Sequence, residues 1–295
     1  MKFNNILDTI GNTPLVLLPR YSTAKVKIYA KLEGVNPSGS IKDRIALYMI
    51  NQAEKQGILD KDKTIIEATS GNTGIALAMI SAIKGHKFTA VMPESVSIER
   101  RKLSEAYGAE IVLTDGLKGT NYALEVAKNI AKEDPKRYIM LNQFGNKANI
   151  DAHYFGTGSE IIKDLPETTH FVAGMGTGGT LTGVGKKLKE VNQNIRIVGI
   201  EPLAGSRIQG LRNMTAYKPE IFDTDKLDEK ITIEEDDAAL DLARDLFKRE
   251  GISVGISSGA ALWGAMQIRD RIEDGNIVTI FPDRGDKYLS TELFN

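Results

Sequence analysis

Lys42 lies in Pro37-Ser38-Gly39-Ser40-Ile41-Lys42-Asp43-Arg44, a polar loop that runs directly into the apolar residues Ile45, Ala46, Leu47, Met49 and Ile50. Ser40 followed three residues later by Asp43 has the spacing of a capping box, which predicts a helix start and puts Lys42 in its first turn. The unpaired N–H groups of a first turn create a positive local field, so an ammonium is misplaced there and a neutral amine is favoured. An amine must be neutral before it can attack a carbonyl, and a lysine poised in this way suits a Schiff-base cofactor such as pyridoxal phosphate. Taken alone, the stretch reads first as a solvated lysine at a loop–helix junction, and the rest of the chain must change that.

Three further turns carry donors. Thr69-Ser70-Gly71-Asn72-Thr73-Gly74 joins a strand to a helix and offers hydroxyls, an amide and flexible backbone N–H groups, a good seat for a carboxylate. Gly174-Met175-Gly176-Thr177-Gly178-Gly179-Thr180 has the same setting, and its glycines let the backbone approach a phosphate closely. Gly174, Gly176 and Gly179 also spell G-x-G-x-x-G, with Glu201 at the end of the next strand where a dinucleotide ribose acid would sit. That nicotinamide reading leaves Lys42 and the Thr69–Gly74 turn unused and supplies no partner for hydride transfer. Ile256-Ser257-Ser258-Gly259 precedes an apolar helix and by itself is only a good N-terminal cap.

The elements that must position these turns alternate. Leu15–Leu18 and Lys27–Glu33 read as strands, and the Lys42 helix is expected to end near Gly57. Buried strands follow at Thr64–Ala68, Phe88–Met92 and Glu110–Leu113, with helices at Ile75–Lys84, Ser97–Tyr107 and Tyr122–Lys132 between and after them. Strands resume at His170–Ala173, Ile195–Ile200 and Asn276–Phe281. Strands and helices alternating at this spacing mean parallel α/β sheets, here in two blocks with a ligand cleft between them.

Composition narrows the chemistry. With no cysteine in the 295 residues, disulfides, thiolate nucleophiles and cysteine-ligated metal centres are excluded. The three histidines, His86, His153 and His170, show no metal or triad spacing and read as structural or surface residues. A formal net charge of −1 without blocks of one sign gives no footprint for nucleic acid or a membrane surface. The N-terminal residues lack an apolar secretion segment, and no stretch approaches the ~18 apolar residues of a membrane span, so the expectation is a soluble cytoplasmic protein.

Together, S-G-S-I-K-D-R, T-S-G-N-T-G, M-P-E-S-V-S-I-E-R-R, G-T-G-G-T, S-S-G-A and the closing R-G-D-K-Y-L-S-T resemble, in this order, the cysteine synthases (O-acetylserine sulfhydrylases) of the tryptophan synthase β-like pyridoxal phosphate enzymes. The likeness runs from I-G-N-T-P-L to Y-L-S-T, and the ending together with L-R-N-M resembles the B-type branch. It implies two three-layer α/β domains with mostly parallel sheets and the cofactor in the cleft between them. Residues 36–145 would form a smaller mobile domain, and 1–35 with 146–295 the larger one.

By the same resemblance, Lys42 forms the Schiff base with pyridoxal 5′-phosphate and acts as the general base. Asn72 would bond the phenolic oxygen, Gly176, Thr177, Gly178, Gly179 and Thr180 would cradle the phosphate, and Ser257 would face the ring nitrogen. Thr69, Ser70, Gly71, Thr73 and Gln143 would hold the substrate carboxylate, while Arg212 would meet an anionic leaving group or sulfur donor. The implied reaction replaces the β-substituent of O-acetylserine or O-phosphoserine with sulfide or thiosulfate through an α-aminoacrylate, in a homodimer. Cystathionine β-synthase, serine or threonine dehydratase, an inactive binding relative and a dinucleotide oxidoreductase remain open on sequence.

Overall fold

The structure, a computed structural model, describes residues 2–69 and 71–295. Two sheets organise it. The four-stranded sheet runs β5 (Glu110–Thr114), β4 (Lys87–Pro93), β3 (Thr64–Ala68), β6 (Tyr138–Met140), all parallel. The six-stranded sheet runs β1 (Leu15–Leu17), β2 (Val26–Leu32), β10 (Gly275–Phe281), β7 (His170–Gly174), β8 (Arg196–Pro202), β9 (Glu229–Ile233). Only the β1–β2 pair in it is antiparallel.

The inner strands of each sheet are covered on both faces, which is why they are apolar along their length rather than on alternate residues. In the small sheet Ile65, Phe88, Ala90 and Met92 pack on α1 (Lys42–Lys55) and α2 (Asn72–Lys84). The alternate residues Ile66, Ala68 and Val91 pack on α4 (Gly119–Glu133), with α3 (Ile98–Ala106) preceding β5. The chain then passes through α5 (Lys147–Ala152), a π-helical stretch at His153–Gly158 and α6 (Ser159–Asp164). In the large sheet Phe171, Ala173, Ile197 and Val278 face α7 (Gly179–Val191), whereas Val172, Val198 and Ile200 face α8 (Asp236–Asp245) and α9 (Ile256–Arg269). These are two three-layer α/β units, as the resemblance implies. No helix among the described residues is long and apolar enough to cross a membrane.

The strand orders fix where a ligand can sit. In the small sheet the chain moves outward from β3 through β4 and β5, then returns to β6 on the opposite side of β3. In the large sheet it moves from β7 through β8 and β9, then returns to β10 on the opposite side of β7. Adjacent crossovers therefore part at the carboxyl ends of β3 and β7, the position where open α/β sheets bind ligands. The turns at Thr69–Gly74 and Gly174–Thr180 leave from those two ends.

Three details depart from the sequence expectation. The short β6 carries little periodic signal and β9 lies beyond a long irregular segment, so the sequence pattern predicts neither strand. The capping box does not form. Ser40 pairs with Asp283 as an isolated antiparallel bridge, and Ile41 N–H donates to Pro282 C=O at 2.8 Å. The chain is thus held against the end of β10 until Lys42, where α1 begins without a side-chain cap. Asp43 turns back instead, accepting from the Ser38 N–H at 2.7 Å and from the Ser38 hydroxyl.

Candidate active site

Lys42 occupies the first position of α1 and lines a cavity of about 840 Å³ between the sheets, together with Asn72, Thr177, Ser257, Gln143 and Arg212. It keeps some solvent access through the open cleft, yet the protein packed around its amine removes enough water to lower its pKa. Asp283 and Glu33 pull the other way, by attraction to the ammonium. Burial is thus the leading cause of the lowered pKa, where the sequence suggested the helix field.

The Thr69–Gly74 turn is built around Thr69. Its hydroxyl oxygen accepts the N–H groups of Gly71 at 3.0 Å and Gly74 at 3.1 Å, which folds the turn so that α2 can start at Asn72. Ser70 lies outside the described residues. The Thr73 hydroxyl donates to Gln143 Oε1 at 2.8 Å, and Gln143 Nε2 donates to Ala68 C=O at 3.2 Å. Thr69, Gly71, Thr73 and Gln143 therefore meet at one wall of the cavity, although Gln143 comes from the loop after β6, 70 positions beyond Thr73.

Glu67, fully buried on β3, underlies that wall. Its carboxylate accepts the Asn142 N–H at 2.8 Å and the Gln143 N–H at 3.0 Å, and burial pushes its pKa up to about 7. Asn142 takes the left-handed conformation at φ 55, so this carboxylate holds a tight, locally unfavourable turn in place. Glu67→Gln turns one acceptor into an amide that faces a backbone N–H. It should cost roughly 1–3 kcal/mol in urea unfolding. Through the displaced Gln143 it should raise KM for the amino-acid substrate several-fold, with kcat changed less. Equal KM values in the two proteins would refute the link.

The opposite wall is the glycine loop. Gly178 caps α7 at φ 80, and the Gly179 N–H beyond it donates back to Thr177 Oγ1 at 3.3 Å, which folds the loop onto the start of the helix. A Cβ at Gly176 would stand 2.9 Å from Gly210 O, and one at Gly179 would stand 2.0 Å from Asn149 Oδ1, so bare backbone is required there. Thr177 Oγ1 accepts from Asn149 Nδ2 at 3.1 Å. Thr180 Oγ1 and His153 Nε2 lie 3.2 Å apart, and burial holds the His153 pKa well below its ordinary value, so a neutral ring supports the loop from beneath. His153 has a structural role, as the sequence suggested.

Ser257 is buried in the first turn of α9, which opens onto the cavity. Arg212 lies on the irregular segment after β8. Its guanidinium is 4.6 Å from the Phe144 ring centroid and 4.8 Å from that of Tyr217, and it donates to Asn121 Oδ1 at 2.8 Å. Glu201 does not serve a ribose. It is buried, accepts the Met214 N–H at 3.0 Å and pairs with Lys230 at 2.6 Å, which removes the acid that the dinucleotide reading needs.

The sequence reading missed the chemistry of the closing segment. Asp283 Oδ2 accepts from Asn72 Nδ2 at 2.6 Å and from the Tyr288 hydroxyl at 2.8 Å, and Lys287 Nζ donates to Asn72 Oδ1 at 3.0 Å. Arg100 stacks on Tyr288, 4.5 Å from its ring centroid, and bonds Gln209 across the cleft. A cluster of mixed charges directly after a buried strand was the available signal.

The residues present fit pyridoxal phosphate. They supply an amine of lowered pKa, a glycine loop whose neighbours leave no room for side chains, and a hydroxyl and an amide on the same cavity. The family described as pyridoxal-phosphate dependent enzyme matches residues 6–283. A cysteine synthase of Aquifex aeolicus is 46% identical over 98% of this chain and 92% of its own. Cysteine synthase B of Salmonella typhimurium is 46% identical over 99% of this chain and 96% of its own. The crystal structure of an O-ureido-L-serine synthase superposes with a TM-score of 0.94 at 40% identity, covering all of this chain and 96% of the other. With a family match across most of its length and a lysine, glycine loop and turn placed to serve that chemistry, this chain belongs to the pyridoxal-phosphate dependent enzymes.

Proposed function

We propose that this chain is a cysteine synthase of the B-type branch, replacing the β-substituent of an activated serine with sulfide or thiosulfate to give L-cysteine. The observation that supports the reading is that the desolvated Lys42 lines one cavity with the Gly174–Thr180 loop and the Thr69–Gly74 turn. In this reading the loop would hold the cofactor's phosphate and the turn the amino acid's carboxylate. When bound, pyridoxal phosphate supplies an electron sink that acidifies the substrate's α C–H and allows the β-substituent to leave.

The chain's own residues do the rest. Lys42 Nζ would hold the cofactor through its aldehyde carbon, and burial, by lowering the amine's pKa, favours the unprotonated form that this role needs. With an amino-acid substrate bound, the same nitrogen would take the α-proton as general base. The N–H groups and hydroxyls of Gly176–Thr180 would hold the phosphate at the α7 N-terminus, where the helix dipole favours an anion. Ser257 would meet the ring nitrogen with a neutral hydroxyl, which cannot stabilise a pyridinium as a carboxylate does, and this weaker sink suits elimination and addition at the β-carbon. Asn72 would bond the phenolic oxygen. Thr69, Ser70, Gly71, Thr73 and Gln143 would clasp the substrate carboxylate. Residues 36–145 would move as a unit over it. A homodimer and a cytoplasmic location belong to the same reading and rest on the resemblance.

Steady-state assays of O-acetylserine and O-phosphoserine, each with sulfide and with thiosulfate, test the proposal. Cysteine or S-sulfocysteine formed from at least one pair supports it. Release of pyruvate alone would favour a dehydratase.

Arg212 supports the wider choice of substrates. It lines the cavity, burial lowers its pKa, and among the described residues no carboxylate lies within ion-pair distance of it. A guanidinium held by two aromatic faces and an amide oxygen is left able to pair two oxygens of a phosphoryl group or thiosulfate. Arg212→Ala is expected to lower kcat/KM for O-phosphoserine or thiosulfate by tens-fold, corresponding to roughly 1.5–3 kcal/mol. Turnover of O-acetylserine with sulfide should change far less. Equal losses on all pairs would make Arg212 a structural residue.

A further inference from the structure

Lys287 is 1% exposed, and its stem and ammonium are packed inside the closing turn Arg284–Tyr288. Its Nζ donates to Gly39 C=O at 3.1 Å and to Asn72 Oδ1 at 3.0 Å. One acceptor belongs to the loop that delivers Lys42, the other to the first residue of α2. A lysine so enclosed is costly to keep unless its donors are used on something specific.

Its consequence for Asn72 follows from donor and acceptor inventories. An ammonium only donates and an ionised carboxylate only accepts. Lys287 on one side and Asp283 on the other therefore allow the Asn72 amide a single orientation, oxygen toward Lys287 and nitrogen toward Asp283 at 2.6 Å. One N–H of that amide is consumed by Asp283. The second remains, on a residue that lines the same cavity as Lys42. With the orientation fixed, Asn72 presents a donor to the cavity and cannot present an acceptor. A positive charge on the amide oxygen also draws electron density from the nitrogen, which strengthens that N–H as a donor.

We propose that Lys287 is a positioning residue for the cofactor, locking and polarising the Asn72 amide so that its free N–H stabilises an anionic oxygen on the bound ring. This rests on the pyridoxal phosphate reading above. Lys287 touches neither substrate nor cofactor in this account and acts through Asn72. Burial lowers its pKa to about 8, still above neutrality, so the ammonium is the main form when Asn72 is held.

The test is a double-mutant cycle on the holoenzyme, with Lys287→Met, Asn72→Ala and the pair. The readouts are cofactor retention on dialysis against buffer and the pH midpoint of the visible absorption band. Lys287→Met should weaken cofactor retention about ten-fold and move the pH midpoint upward. In the Asn72→Ala background the same change should have no further effect on either readout. A Lys287→Met protein that matches wild type, or one whose effects persist in full without Asn72, overturns the proposal. Should Lys287→Met fail to fold, Lys287→Gln, which keeps a donor without the charge, enters the same cycle with the same criteria. Wild-type protein that takes up no pyridoxal phosphate and shows no band would count against the proposed function itself.

Discussion

The Lys42→Ala protein is expected to lose the visible absorption band and cysteine formation together while remaining folded. No other amine among the described residues lines the cavity at the start of a helix with its pKa lowered by burial. Loss of a general base typically costs 10²–10⁴-fold. With Lys42 proposed as both nucleophile and base, turnover should fall by at least about 10³-fold. Stability should move the other way or not at all. The lowered pKa means that the fold pays to bury this amine, and alanine removes that cost. The denaturation midpoint should therefore stay at or above that of wild type. Near-normal turnover with the band intact would sink the assignment, and a large loss of stability would mean that inactivity alone proved nothing.

Gly178→Ala is expected to release the cofactor. At φ 80 a side chain is already strained, and a Cβ there would lie 2.1 Å from Phe222 Cγ, so either the ring or the loop must move. Phe222 is part of the core packed beneath β7 and α7, and it has little room to yield. Strain and overpacking together should cost about 2–4 kcal/mol. The displaced loop would lose its hold on phosphate, with cofactor retention reduced by at least an order of magnitude. Gly251→Ala is the control. It has a similar φ of 67 but nothing within 4 Å of the new Cβ, and should cost only about 1 kcal/mol with retention unchanged. Equal retention in the Gly178 and Gly251 variants would show that the loop does not seat the phosphate.

Much of this was legible in the chain. The buried strands β3, β4, β7 and β10 announced themselves because both faces are covered, leaving unbroken apolar runs. The turns at Thr69–Gly74 and Gly174–Thr180 were recognisable because their small polar residues sit between a strand and a helix. What stayed hidden depended on distant partners. Ser40 and Asp43 have the letters of a capping box, but a bridge to Asp283, 243 positions further on, sets the backbone there. Glu201 has the position of a ribose acid, and only the fold shows Lys230 against it. Glu67, Asp283 and Lys287 were ordinary charges until burial placed them behind Gln143 and Asn72. Local patterns report local structure, and these residues act across separations that no window spans.

The order of the large sheet has a consequence for how the protein comes to exist. Its final strand, β10, lies between β2 and β7 and supplies the pairing that joins them. On a ribosome, β2 emerges early and β7 more than a hundred residues later, and neither can acquire this neighbour until residue 281 has left the exit tunnel. For that interval the nascent chain carries two unpaired apolar edges, the kind that invites association with other chains. The four-stranded sheet, complete by residue 140, suffers no such delay. Ser40, Asn72 and Gly39 likewise wait for Asp283 and Lys287. A stalled or shortened translation product would therefore hold one finished half and one sticky half. Chaperone demand and proteolysis during synthesis should concentrate on the edges of β2 and β7.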